Sequence, residues 1–252
     1  MKRIRPVSIV RWVLGAGAAA FACAAYAYLS TPDVRQLAST NPDVTAFMRL
    51  RALEARDEGR EPRRVQEWVS YDRISPHLKR AVTVSEDAAF WQHEGVDYFE
   101  LRASLERNWS EGRVVRGAST ITQQLAKNLY LSESRTPMRK FRELLIARRL
   151  EAELSKARIF EIYLNVIEWG DGIYGIEAAA RTYFRKPASA LSPSEAALLA
   201  GAIINPRALT PQKPTARLLA RQKLILRRMG GGAAPAQRVV AASEDEPDEH
   251  AH

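Results

Sequence analysis

Six helix starts are written into this chain, and they limit its fold more than any other feature. Ser75-Pro76, Thr136-Pro137 and Ser192-Pro193 each set a hydroxyl residue before a proline, the pairing of an N-cap with a first helical residue. Thr120 with Gln123, Ser192 with Glu195, and Asp97 with Glu100 make capping boxes, the last in an acidic variant, and Ser155 opens a further helix. These starts predict helices from Ser75 to Glu86, over 98–109, after Thr120, over 137–154, over 156–166 and from Ser192 to Ile203. Gly170-Asp171-Gly172 reads as a turn, 174–184 as another helix and 215–229 as the last, closed by Gly230. Only 65–71 is plausibly extended. The fold class is therefore mainly α, and no internal repeat is present.

Positions 12–29 are eighteen consecutive uncharged residues behind Lys2, Arg3, Arg5 and Arg11. As a helix they span roughly 27 Å, close to the thickness of a bilayer core. The basic flank predicts a cytoplasmic N-terminus, with everything after Ser30 outside. A cleavable signal peptide is the alternative, because Ala25-Tyr26-Ala27 mimics a small-x-small site, but the apolar run exceeds a usual signal core. The expected division is a basic tail at 1–11, an anchor at 12–29, a linker with a membrane-proximal amphipathic helix at 30–64, one globular domain at 65–229, and a disordered acidic tail at 230–252.

Net charge is +9, yet Glu244, Asp245, Glu246, Asp248 and Glu249 make the tail acidic, which leaves about +13 on the rest. Such a surplus suits an anionic partner without selecting among nucleic acid, membrane surface and phosphorylated substrate. Cys23 is the single cysteine and lies in the apolar run, so one chain forms neither a disulfide nor a cysteine metal site.

Two stretches carry chemistry. In the first, Glu86 and Asp87 follow an apolar helix face and precede Phe90 and Trp91, where a desolvated carboxylate would have its pKa raised into an acid or base range. The plain alternative is a solvated acidic pair. His93, beside a glycine turn, reads as bonding its own loop, and Asp97 as a cap. In the second, Gly117-Ala118-Ser119-Thr120 leads into a helix start whose free N–H groups suit a phosphate. Thr120, Gln124, Lys127 and Asn128 then fall on one side, with Ile121, Leu125 and Leu129 on another. Arg139 and Glu143, one turn apart, read as a surface ion pair. The stretch 156–165 reads as a helix with a packed face.

The residues themselves resemble the peptidoglycan glycosyltransferases of family 51 in their monofunctional form. Glu86, Asp87, Phe90, His93, Gly95 and Asp97 match E-D-x-x-F-x-x-H-x-G-x-D. Gly117 to Gln124 with Lys127 and Asn128 match G-x-S-T-I-T-Q-Q and K-N, and Arg139, Lys140 and Glu143 match R-K-x-x-E. Lys156, Ile159, Glu161, Tyr163, Leu164 and Asn165 match K-x-x-I-x-E-x-Y-L-N, with Phe160 in place of the usual leucine.

The resemblance implies a lysozyme-like, mainly helical fold with a small membrane-facing lobe and a groove for lipid II and the growing glycan. It makes Glu86 the general base and Glu143 a second catalytic carboxylate that orients the site or helps hold a divalent cation. Asp87, Ser119, Thr120, Gln123, Gln124, Lys127, Asn128, Arg135, Arg139 and Lys140 become substrate-binding, with Lys127, Arg135, Arg139 and Lys140 at the pyrophosphate. No cofactor is required on this reading, beyond a divalent cation such as Mg or Mn if one serves. The implied partners are lipid II, the nascent glycan strand, the membrane and other cell-wall synthesis or division proteins; nucleic acid is not among them. The implied place is the cytoplasmic membrane, single-pass, with the catalytic domain on the periplasmic side. No Ser-x-x-Lys or Lys-Thr-Gly occurs, so a penicillin-binding transpeptidase is not expected. Two rival functions remain: a lysozyme-like lytic enzyme, which needs no phosphate-binding cations, and a membrane-tethered binding module, which needs no ordered carboxylate and amide motifs.

Overall fold

The computed structural model describes residues 6–111, 119–131 and 136–230. The basic loop read at 112–117, Arg135 and the tail after Gly230 lie outside the described residues. The described helices are α1 (Pro6–Leu29), α2 (Ala46–Asp57), α3 (Pro76–Glu86), α4 (Tyr98–Ser110), α5 (Ile121–Tyr130), α6 (Pro137–Glu153), α7 (Lys156–Val166), α8 (Ile176–Phe184), α9 (Pro193–Ala202) and α10 (Ala216–Gly230). The strands are β1 (Val65–Gln66), β2 (Glu168–Gly170) and β3 (Ile173–Tyr174), in the order β1-β3-β2.

The local starts do what their side chains dictate. Thr45, Asp97, Thr120, Thr136, Ser155 and Ser192 each accept an N–H of the first turn, and the boxes at Thr120 and Ser192 close reciprocally. Ser75 is the exception: it stands at the cap position but donates its hydroxyl to the Leu191 carbonyl at 2.9 Å, tying the start of α3 to the start of α9.

Expectation and structure differ at the sheet. Tyr174 is a strand residue rather than the start of α8, and β2 and β3 form a bulged hairpin around Gly172, with β1 parallel to β3. Asn165 closes this region. Its Oδ1 accepts the Val69 N–H at 2.9 Å and its Nδ2 donates to the Val69 carbonyl at 2.8 Å, as a neighbouring strand would. Glu161 accepts the Tyr71 N–H at 2.8 Å, so the polar residues of α7 hold the extended segment in place.

The core gathers around α5, which packs on α2, α6 and α7. Phe90 lies 5.3 Å from Phe160 and 5.0 Å from Trp91, ring to ring, beside buried Leu125, Ile146, Leu150 and Tyr163. Val34, Leu37 and Met48 join this core, so the stretch read as a linker packs into the domain. The second layer is α3 against α9 and α10. In α1 the segment Arg11–Leu29 is long and apolar enough to cross a membrane, and its large side chains stand exposed.

Candidate active site

Leu78, Val82 and Glu86 recur at four-residue spacing on α3, so the face that buries Leu78 and Val82 carries Glu86 inward at the helix end. Burial raises its pKa above the usual carboxylate range, and the Asp87 charge adds to this. A hydrogen bond from Gln124 and the Arg221 charge on α10 oppose it. Gln124 Nε2 donates to Glu86 Oε2 at 3.1 Å, while Gln124 Oε1 accepts the Tyr163 hydroxyl at 2.8 Å.

Asp87 leaves the helix and turns the other way. Its Oδ2 accepts the Ile121 N–H at 2.9 Å, and both its oxygens lie 3.0 Å from His93 Nε2. His93 Nδ1 accepts the Gly95 N–H at 3.1 Å, which leaves the Nε2 N–H to donate to Asp87. This corrects the expected phosphate cradle: the α5 N-terminus holds an anion from its own chain. Thr120 and Gln123 are likewise engaged internally. Thr120 Oγ1 donates to the Gly95 carbonyl at 2.7 Å, and Gln123 Oε1 accepts the Thr120 N–H at 3.3 Å. Asp87, Thr120 and Gln123 are buried beneath the site, and Asn128 donates to the Gln124 carbonyl at 2.8 Å.

A second group lies across α5. Glu143 shares a face of α6 with Ile146, Ala147 and Leu150 and is only 3% exposed, so it is no surface pair. Its Oε2 receives Arg139 Nη1 at 2.6 Å and its Oε1 receives Lys140 Nζ. Lys140 Nζ also donates to Ser119 Oγ at 3.0 Å and reaches Gln123 Oε1 at 3.5 Å. Adjacent residues of α5 thus serve the two groups, Gln123 toward Glu143 and Gln124 toward Glu86. Lys127 is half-buried on the same helix, and its side chain has no hydrogen-bond or ion-pair partner among the described residues. Two cations on one carboxylate leave this group with a net positive charge.

Comparison with known proteins decides the family. The transglycosylase family matches residues 54–230, most of the chain. The chain belongs to the transglycosylase family. A protein of Laribacter hongkongensis named biosynthetic peptidoglycan transglycosylase is 51% identical over 195 residues, covering 77% of this chain and 86% of the relative. Proteins of the same name from Methylobacillus flagellatus and Chromobacterium violaceum are each 49% identical over 189 residues, covering 75% of this chain and 82% and 83% of the relatives.

Within this transglycosylase the divalent-cation expectation finds a poor donor set. Both Glu143 oxygens already face cations, and among the described residues no three His, Cys, Asp or Glu side chains converge as a metal site. A cavity of about 530 Å³ lies elsewhere, lined by Asn41, Pro42, Asp43, Arg64, Gln66 and Trp68. Arg64 there pairs with Asp43 and donates to Gln66, so its polar groups are largely spent on one another. Sequence reasoning gives Tyr163 a place in a matched motif but no role, and does not mark Arg221 at all. Tyr163 lies on the buried face of α7 like any core aromatic, and only its bond to Gln124 distinguishes it. Arg221 lies 135 positions from Glu86, beyond any local spacing rule.

Proposed function

We propose that this chain polymerises peptidoglycan glycan strands from lipid II. Glu86 is the general base: it takes the proton from the 4-hydroxyl of the acceptor GlcNAc as that oxygen bonds to C1 of the donor MurNAc. The bond from C1 to the pyrophosphate breaks, undecaprenyl pyrophosphate leaves, and C1 inverts to a β-1,4 link. Lys127, Arg139, Lys140 and Arg135 receive the pyrophosphate charge, and Glu143 holds Arg139 and Lys140 in place for it. Ser119 anchors Lys140, while Gln124 and Asn128 frame the acceptor side. The one observation that carries the reading is that adjacent residues of α5 meet a desolvated carboxylate, Glu86 at Gln124, and an excess of cations, Lys140 at Gln123 with Arg139 beside it on Glu143.

A membrane setting fits the same reading. The run in α1 follows a basic flank, which favours a cytoplasmic N-terminus and a catalytic domain on the periplasmic side of the cytoplasmic membrane. Phe99 at the start of α4 and Trp109 near its end are 91% and 90% exposed, apolar side chains suited to a bilayer and its lipid-linked substrate. The raised pKa of Glu86 alone also suits a lytic general acid. The cations favour the synthetic reading, because cleaving a glycan releases no pyrophosphate. Incubating the purified full chain with lipid II tests it: polymer degradable by lysozyme is expected, and digestion of purified sacculi without polymer formation would overturn it.

A further inference from the structure

We infer that Tyr163, which touches no substrate in this account, is a positioning residue that sets the orientation of Glu86 through the side-chain amide of Gln124. The inference rests on Glu86 as the base. Tyr163 is fully buried on α7, and its hydroxyl lies 2.8 Å from Gln124 Oε1. Burial, with the Glu86 and Asp87 charges, pushes the phenol well above its usual pKa, so it remains a protonated donor throughout the working range. An amide has one accepting and one donating end. The 2.8 Å bond from the phenol holds Oε1 on Tyr163, and Nε2 is left to face Glu86. The flipped amide would set its oxygen against the Glu86 carboxylate, so the pair of bonds works only this way round.

The rest of Gln124 is already fixed. Its N–H donates to the Thr120 carbonyl at 2.9 Å, its carbonyl accepts from Asn128, and the helix start is clamped by Asp87. The side-chain torsions are the freedom that remains, and the phenol removes it. The amide engages Oε2 of Glu86 alone; Oε1 has no partner among the described residues and is the oxygen left to take the acceptor's proton. The charged groups acting on Glu86 are Asp87 beside it and Arg221 on α10. Neither is mobile: Asp87 is bound to Ile121 and His93, and Arg221 Nε donates to the Gly201 carbonyl at 3.0 Å. Gln124 is therefore the one neutral donor whose aim can vary, and Tyr163 sets it.

The test is the pH profile of kcat/KM for lipid II polymerisation by the full chain carrying Tyr163→Phe. A donor that favours the ionised carboxylate lowers its pKa, so losing its aim moves the acid limb to higher pH, by about one unit. The rate should fall roughly tenfold on the acid side and far less on the alkaline plateau. Gln124→Met should shift the limb similarly, and Tyr163→Phe should add nothing in that background. A Tyr163→Phe profile lowered equally at every pH, or limb shifts that add in the double variant, would overturn the inference. If Tyr163→Phe does not fold, Gln124→Met alone decides: an unmoved limb overturns it. A Glu86→Gln variant that keeps both rate and limb would instead remove the base assignment itself.

Discussion

Asp87 accepts a backbone N–H and an imidazole N–H with the same carboxylate, and an amide cannot serve both donors without presenting its own N–H₂ to one of them. Asp87→Asn is therefore expected to destabilise the protein by about 1.5–3 kcal/mol, the range for hydrogen bonds to charged groups. A thermal melt checks this, and an unchanged midpoint would contradict it. Lys127 is the opposite case. With no side-chain partner among the described residues, Lys127→Ala should leave the melt unchanged and lower kcat/KM roughly ten- to hundredfold, since about 1.5–3 kcal/mol of charge-assisted contact to the pyrophosphate is lost. A lowered midpoint with wild-type turnover would make it structural. The sequence marked Glu86 and Asp87 as a candidate pair but could not separate them. Glu86 is the last helical residue and Asp87 leaves with φ −162°, so one step along the chain sends the two carboxylates to different partners. His93 and Asp97 were legible because a bond within a loop and a cap at a helix start are both local.

Helix starts were readable at the scale of elements because a cap is decided within four residues. The strands were not, since two or three residues are too few for alternation to register, and the sheet is held by side chains 96 positions away, as between Asn165 and Val69. The α5 N-terminus was recognised as an anion site, but whether a ligand or Asp87 fills it depends on tertiary placement. Gly175 tests the arrangement of the hairpin and α8. It has φ +80°, and a Cβ there would lie 2.8 Å from the Asn165 carbonyl oxygen. Gly175→Ala is expected to cost on the order of 1–3 kcal/mol. Gly59, also left-handed at φ +70° but with open space around its would-be Cβ, is the control, and its alanine variant should cost less. Equal losses at the two positions would show that backbone strain alone, and not the Asn165 contact, is felt.

The whole molecule couples one apolar helix to a basic, mainly helical domain of the transglycosylase family. If α1 is a permanent anchor, intact-mass analysis of membrane-extracted protein returns the uncleaved chain; a mass beginning at Tyr28 would show removal after Ala27. On the proposed function, Glu86 accepts a proton while a glycan is built. Glu86→Gln preserves shape and can still meet an amide, but it cannot act as the base. Positioned general-base catalysis contributes typically about 10²–10⁴-fold. The most direct measurement is the rate of lipid II polymerisation by full-length wild type and Glu86→Gln at neutral pH, with lipid II binding followed alongside. A loss of about 10²–10⁴-fold with binding retained is expected; polymerisation by Glu86→Gln at the wild-type rate would contradict a base at this position.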